Sequence, residues 1–284
     1  MANDWSSEEC RLIVADYFDM LRAELSGVSY SKTKHRKALS AQLMARTDGS
    51  IEYKHQNISA ILIEMGHTYI AGYKPASNYQ SHLITTIGEY LNRHERELVE
   101  LVQKEQTQLL PGHLDLAVLD WKALLTEAPH RDLKKPSQGN KEFIPKRYNY
   151  SEREVNNRRL GELGEQFVLK FEKARLASSG KKGLVADVEW TSKEKGDGAG
   201  FDIRSFNLGD ESPLYIEVKT TNSGKHQPFY ISANELNFAQ SHEPSWSLYR
   251  VFGFRSKPKL FTLSGSLSAY AHLEPTEYRA DFRG

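Results

Sequence analysis

The hydrophobic period of this chain changes partway along, and that change constrains the fold more than any other feature. From Ser6 to about Gln106 apolar residues recur at helical spacing, whereas beyond about Leu184 they fall in short alternating runs. A chain with this order of periods builds helices first and a sheet afterwards, so the expected class is α+β: a mostly helical N-terminal domain, then a mixed sheet flanked by helices.

The helical signals are specific. "SSEECRLIVADYFDMLRAELSG" opens with a Ser-x-x-Glu capping box at Ser6, places Val14, Phe18, Leu21 and Leu25 on one face and stops at Gly27. "KTKHRKALSAQLMAR" reads as a second helix. In "DGSIEYKHQNISAILIEMG" Asn57 is placed to cap a short helix that carries Ile58, Ile61, Leu62 and Met65 and ends at Gly66. A further helix runs through Leu83, Ile87, Tyr90 and Leu91 to about Gln106, which bounds the first domain at residues 1–106. Residues 107–150, broken by Pro111, Pro136 and Pro145, read as linker and extended structure with a short helix around "LAVLDWKALL".

Residues 151–284 form the third region. It opens with a long helix, "SEREVNNRRLGELGEQFVLKFEKARLASSG", and continues with strands expected at "LVADVEW", "FDIRSF", "LYIEVKTT", "PFYIS", "SLYRVFGF" and "KLFTLS", with a helix at "ANELNFAQSH". The turn-forming "NLGDES" makes "FDIRSF" and "LYIEVKTT" an antiparallel hairpin.

Composition excludes several classes. With Cys10 as its single cysteine, the chain has no intrachain disulfide and no thiolate metal cluster. The opening residues lack a basic-then-apolar leader, and no apolar run reaches membrane-spanning length, so the expectation is a cytoplasmic protein with no membrane partner. The net charge of +1 hides a local excess: from Arg131 to Arg159 nine Lys or Arg stand against four Asp or Glu, which suits either a solvated linker or a nucleic-acid backbone.

The chemistry concentrates in "PLYIEVKTT". As a strand it sends Tyr215, Glu217, Lys219 and Thr221 to one face and Leu214, Ile216, Val218 and Thr220 to the other. An isolated Glu-x-Lys is most often a solvated edge. Here, however, the neighbouring strand carries Asp202, so two carboxylates and a lysine converge. Mg²⁺ takes hard oxygen ligands, keeps several waters and needs only one or two protein carboxylates, so Asp202 and Glu217 suffice to hold it.

On these residues, "GFDIRSF…LYIEVKTT" resembles the core of the PD-(D/E)xK nuclease superfamily, in its Mrr-like restriction endonuclease branch, and specifically the domain at the C-terminal end of the protein NO VEIN. The resemblance covers about residues 150–270. The proline that family members carry before the aspartate is absent, with "GF" in its place, a replacement seen in the Mrr-like branch. The resemblance implies a restriction-endonuclease-like core with Asp202, Glu217 and Lys219 as catalytic residues. It also implies an acid on the preceding helix, Glu165 by the family's "GE" phrase, with Glu162 left open. Asp202, Glu217 and the Val218 carbonyl would hold Mg²⁺, with Mn²⁺ as a substitute, while Lys219 orients water or meets developing charge. The implied activity is metal-dependent hydrolysis of DNA phosphodiesters, in restriction or defence.

Several residues are candidates for nucleic-acid contact. Beyond the site strand, Thr220, Lys225 and Gln227 offer donors to phosphate; His226 reads better as an ordinary loop residue, Glu235 as a first-turn carboxylate, and Arg250 and Arg255 as able to reach phosphate. In the N-terminal domain a helix-turn-helix-like reading puts Lys34, Arg36, Lys54, His55, Gln56 and Asn57 at a DNA groove, against the alternative of an ordinary core helix. The rival function is a non-cutting nucleic-acid-binding or scaffold protein on a nuclease-like fold; a third reading places RNA in the site. A homodimer is expected only in so far as cutting both strands takes two sites, since the sequence identifies no interface.

Overall fold

The computed structural model describes residues 4–107, 120–129 and 158–276. The basic run from Arg131 to Asn157, most of the expected linker and the first residues of the expected helix at 151 lie outside the described residues. Those described hold eight α-helices and a five-stranded mixed sheet, the α+β class expected.

Four helices build the first part: α1 (Ser7–Leu25), α2 (Lys32–Gln42), α3 (Asp48–Glu64) and α4 (Ser81–Thr107). The capping box at Ser6 is present, with the Glu9 N–H donating to Ser6 Oγ at 3.2 Å and the Ser6 N–H donating to Glu9 Oε2 at 2.7 Å. Glu9 also pairs with Arg46, whose hydrogen bonds hold its carboxyl down to about 2 against the opposing effect of burial. The backbone at Gly27 and Gly66 has φ of 71° and 75°, a left-handed geometry open to glycine, and α1 and α3 end there as expected.

Helix α3 departs from expectation. It starts at Asp48 under a Thr47 cap, so Asn57 lies in mid-helix rather than at its N-terminus. Nearly its whole circumference is buried, including Ile51, Lys54, His55, Asn57, Ile58, Ile61 and Leu62, which makes it the central helix of the core. Its buried Lys54, Asn57 and Ser59 hydrogen-bond internally, and His55 lies against a carboxylate. Lys54 Nζ donates to Gln80 Oε1 at 3.0 Å and lies over the Trp5 ring. His55 Nε2 stands 3.1 Å from Asp16 Oδ2, and Asn57 Nδ2 donates to the carbonyls of Ala76 and Asn78.

After the single turn α5 (Trp121–Leu124), the sheet part is framed by α6 (Arg158–Ser178). Then follow β1 (Glu189–Trp190), the short α7 (Thr191–Lys195), β2 (Ile203–Phe206), β3 (Pro213–Thr220), α8 (Ala233–Ser241), β4 (Trp246–Phe252) and β5 (Lys259–Ser264). The strands lie in chain order, antiparallel except for the parallel pair β3–β4. A parallel pair needs a crossover, and α8 supplies it. Helix α6 covers one face over Leu214, Ile216, Val218, Tyr249 and Val251; α8 covers the other, where Ala239 packs with Trp246, Leu248 and Phe261.

Two expected strands are not strands throughout. Of "LVADVEW" only Glu189 and Trp190 pair, and Leu184 and Val185 reach the core from a 3₁₀ turn. "PFYIS" makes no ladder: Phe229 and Ile231 anchor it against the α8-side core while Ser232 becomes the α8 cap, so its alternation reflects side-chain anchoring rather than pairing.

A buried polar knot fastens α6 to the sheet. Glu172, fully buried, accepts from Arg175 Nε at 2.8 Å, from Tyr249 Oη at 3.0 Å and from Ser205 Oγ. The helical part meets the loop that follows β3: the His226 N–H donates to Tyr69 Oη at 3.1 Å, Thr68 Oγ1 to Ser223 Oγ at 3.4 Å, and Gln227 Nε2 lies 3.5 Å from the His67 carbonyl. Among the described residues no helix is long and apolar enough to cross a membrane.

Candidate active site

The site lies where β2 and β3 run out toward α8. The Asp202 N–H donates to the Ile216 carbonyl at 2.9 Å, so Asp202 and Ile203 both face Ile216 at the start of β2. That bond seats Asp202 beside β3, where its charge acts on the Glu217 carboxyl. The Val218 N–H donates to Asp202 Oδ2 at 2.8 Å and fixes the carboxylate. Ile216 and Val218 turn into the α6-side core, so strand alternation sends Glu217 and Lys219 to the α8 side.

Lys219 is held on that side by two acids. Its Nζ lies 2.6 Å from Glu217 Oε1 and 2.8 Å from Glu235 Oε2, the latter on the first turn of α8. Glu235 is the first-turn carboxylate the sequence suggests, closing a capping box with Ser232. Its reach to Lys219 has no signal in the sequence, because Ser-x-x-Glu reports a helix start and not what the start faces.

Glu165 supports the site from α6. One of its oxygens accepts Trp190 Nε1–H at 2.6 Å and the Ser192 hydroxyl, both at the β1–α7 edge. Glu162, one turn earlier, is exposed and lies 3.7 Å from Lys193, whereas the Glu165 charge acts on Asp202. Gly164 sets this placement: a Cβ there would lie 1.8 Å from Thr220 Oγ1, so only glycine lets α6 approach β3 this closely.

The electrostatics follow from burial and crowding. Burial and then the Glu165 charge push the Asp202 carboxyl up to about 7, with the Val218 N–H and Lys219 pulling back. Glu217 is pushed well above the usual carboxylate range by burial and by Asp202. For Lys219 burial works against the charge, but Glu217 and Glu235 outweigh it and the net direction is upward. The ammonium therefore stays charged, and one cation is left facing more carboxylates than it neutralises, with the surplus proton belonging to the Asp202–Glu217 pair rather than to either residue.

That donor set fits a divalent cation. Asp202 and Glu217 are hard oxygen donors close enough for the charge of one to raise the other. Among the described residues no three His, Cys, Asp or Glu side chains are arranged to hold a metal together, so a cation would rest on these two carboxylates plus main-chain and water oxygens. Val218 enters the site through its N–H, bonded to Asp202.

The expected nucleic-acid contacts disperse. Lys54, His55 and Asn57 are core residues and cannot reach a groove, and Arg36 is held by Asp48 at 3.1 Å and Glu52 at 3.4 Å. Lys34 is exposed and Gln56 half-buried. Thr220 points to α6, away from the Glu217 face, and Gln227 is buried in the seam between the helical part and the sheet. Lys225 remains at the surface, its Nζ 3.5 Å from the Glu127 carbonyl. Arg250, the β4 neighbour of Lys219 in register, is also buried: it donates to the Gln227 carbonyl at 3.1 Å and lies over the Phe229 ring, and so does not extend to a phosphate.

A family model described as "Protein NO VEIN, C-terminal" matches residues 164–263 of the chain. The match begins at Gly164 and ends inside β5, so it contains Glu165, Asp202, Glu217, Lys219 and Glu235. No curated protein and no solved structure matches the chain.

Proposed function

We propose that this chain is a divalent-cation-dependent DNA endonuclease, acting in restriction or defence in a reducing, cytoplasmic setting, with its reaction centre in the sheet part. One observation carries the reading: the half-buried carboxylate of Asp202, held by the Val218 N–H, and the buried carboxylate of Glu217 come together at β3, with Lys219 paired to Glu217. The same residues carry the resemblance to the PD-(D/E)xK nucleases, and the matched family region contains all of them.

Mg²⁺ or Mn²⁺ bound there would supply Lewis-acid stabilisation of the charge that builds on a phosphodiester. In this reading Asp202 and Glu217 are its side-chain ligands, with the Val218 carbonyl as a third donor. The Val218 N–H keeps Asp202 in one rotamer, and Trp190 and Ser192 do the same for Glu165. Lys219 keeps its proton and presents positive charge toward the reacting phosphate. The helical part, seated through Tyr69 against the loop after β3, is the module that brings DNA to this site, and Lys34 and Lys225 are surface cations available to its backbone.

The test is cleavage of modified and unmodified plasmid and phage DNA with Mg²⁺ or Mn²⁺ by wild type and Asp202→Ala, with matched RNA alongside. Cleavage of DNA by wild type alone is the expected result. DNA retained but uncut with every divalent ion tried would refute the nuclease and leave a binding scaffold; cleavage of RNA alone would move the substrate.

A further inference from the structure

Lys219 has two carboxylate anchors of different kinds. Glu217 lies on the same strand and face and is almost completely buried, its side chain 3% exposed; Glu235 comes from the crossover helix, with its side chain 23% exposed. The Glu235 position is not a matter of rotamer chance. Its Oε2 accepts the Ser232 N–H at 3.1 Å while its own N–H donates to Ser232 Oγ at 3.2 Å, so the capping box fixes the carboxylate before Lys219 adds its ion pair. An ammonium has three donors and can satisfy both acids at once.

This double anchoring bears on a conflict within the site. Lys219 already holds Glu217 Oε1, one of the two oxygens that a divalent cation would draw on. A lysine with Glu217 as its sole partner would be left buried and unpaired once those oxygens were engaged elsewhere, and leaving a buried charge without a partner is costly.

We propose that Glu235 is a positioning residue that keeps Lys219 at the reaction centre while Glu217 serves a divalent cation. The inference rests on the reading of Asp202 and Glu217 as the cation site. It assigns Glu235 a role through Lys219, distinct both from direct ligation and from helix capping alone.

A double-mutant cycle separates these roles. Mn²⁺ is titrated by calorimetry into the full chain carrying Glu235→Gln, Lys219→Met, both or neither; near-UV circular dichroism verifies the fold, and Gln keeps the cap because its carbonyl still accepts the Ser232 N–H. Glu235→Gln is expected to weaken Mn²⁺ binding by about tenfold or more when Lys219 is present, the order seen for outer partners of metal sites, because Lys219 then falls back on Glu217 and competes with the cation. With Lys219→Met the same change is expected to have little effect, below about threefold, because the group it acts through is gone. Equal weakening in both backgrounds would make Glu235 a direct ligand and overturn the proposal. No effect in the presence of Lys219 would leave it a helix cap and overturn the proposal as well. If wild type binds no Mn²⁺, the cation site itself fails and the inference falls with it.

Discussion

Replacing Gly164 with alanine tests the link between packing and site most directly. A Cβ at residue 164 would lie 1.8 Å from Thr220 Oγ1, 2.8 Å from its Cβ and 3.0 Å from its Cγ2. Rotating Thr220 cannot clear the space, because its Cβ itself lies at 2.8 Å and does not move with χ1. In a free helix the substitution would stabilise by about 0.8–1 kcal/mol, whereas overpacking a well-filled contact costs about 1–3 kcal/mol. With the overlap this deep the upper part of that range applies, and the net expectation is a loss of roughly 1–2 kcal/mol. Gly161 is the control: it lies in the same helix with nothing within 4 Å of its virtual Cβ, so Gly161→Ala should be neutral or stabilising. Urea unfolding read from tryptophan fluorescence measures both. Adding Thr220→Ala to Gly164→Ala removes the Oγ1 and Cγ2 contacts but leaves the Cβ at 2.8 Å, and should recover part of the loss as a coupling of about 1 kcal/mol. Gly164→Ala as stable as Gly161→Ala would refute the claim that this glycine sets the distance between α6 and β3.

The remaining predictions concern charge and the seam. Asp202 is pushed from 3.8 to about 7, so the folded state holds a proton that the unfolded chain releases; the penalty is absent below pH 3.8, grows through the interval and is complete above 7. In chelator, Asp202→Asn should therefore be more stable than wild type at pH 8, with no advantage near pH 3.5; equal urea midpoints at pH 8 would refute the crowding. Glu172→Ala takes the carboxylate from Arg175, Ser205 and Tyr249 and should cost about 3–5 kcal/mol in urea unfolding, and a loss below about 1 kcal/mol would show the knot to be incidental. Tyr69→Phe removes the acceptor of the His226 N–H and should speed amide exchange at His226, whereas unchanged exchange would mean the seam does not depend on that bond.

Much of this protein follows from local chemistry alone. The Ser-x-x-Glu signatures mark the starts of α1 and α8, Gly27 and Gly66 mark where α1 and α3 stop, and "KLFTLS" coincides with β5. The alternation in "PLYIEVKTT" separates Glu217 and Lys219 from the core residues Ile216 and Val218, and the turn "NLGDES" pairs that strand with the one carrying Asp202. These features are legible because capping, left-handed glycines, turns and strand alternation each involve residues close in sequence.

What the sequence could not determine depends on partners distant in the chain. Lys54, His55 and Asn57 look like surface residues of α3 and are interior: Gln80 and the carbonyls of Ala76 and Asn78 bond Lys54 and Asn57, and Asp16 stands 3.1 Å from His55. Glu162 and Glu165 share a helix face by spacing, and the rotation of α6 imposed by the Gly164–Thr220 contact turns the second toward the site. Glu235 reads as a cap, and its grip on Lys219 arises only when the crossover to β4 lays α8 across that face of the sheet. A residue's type and spacing state what it can bond; which long-range group stands within reach is decided by packing, and there the tertiary structure alone chose.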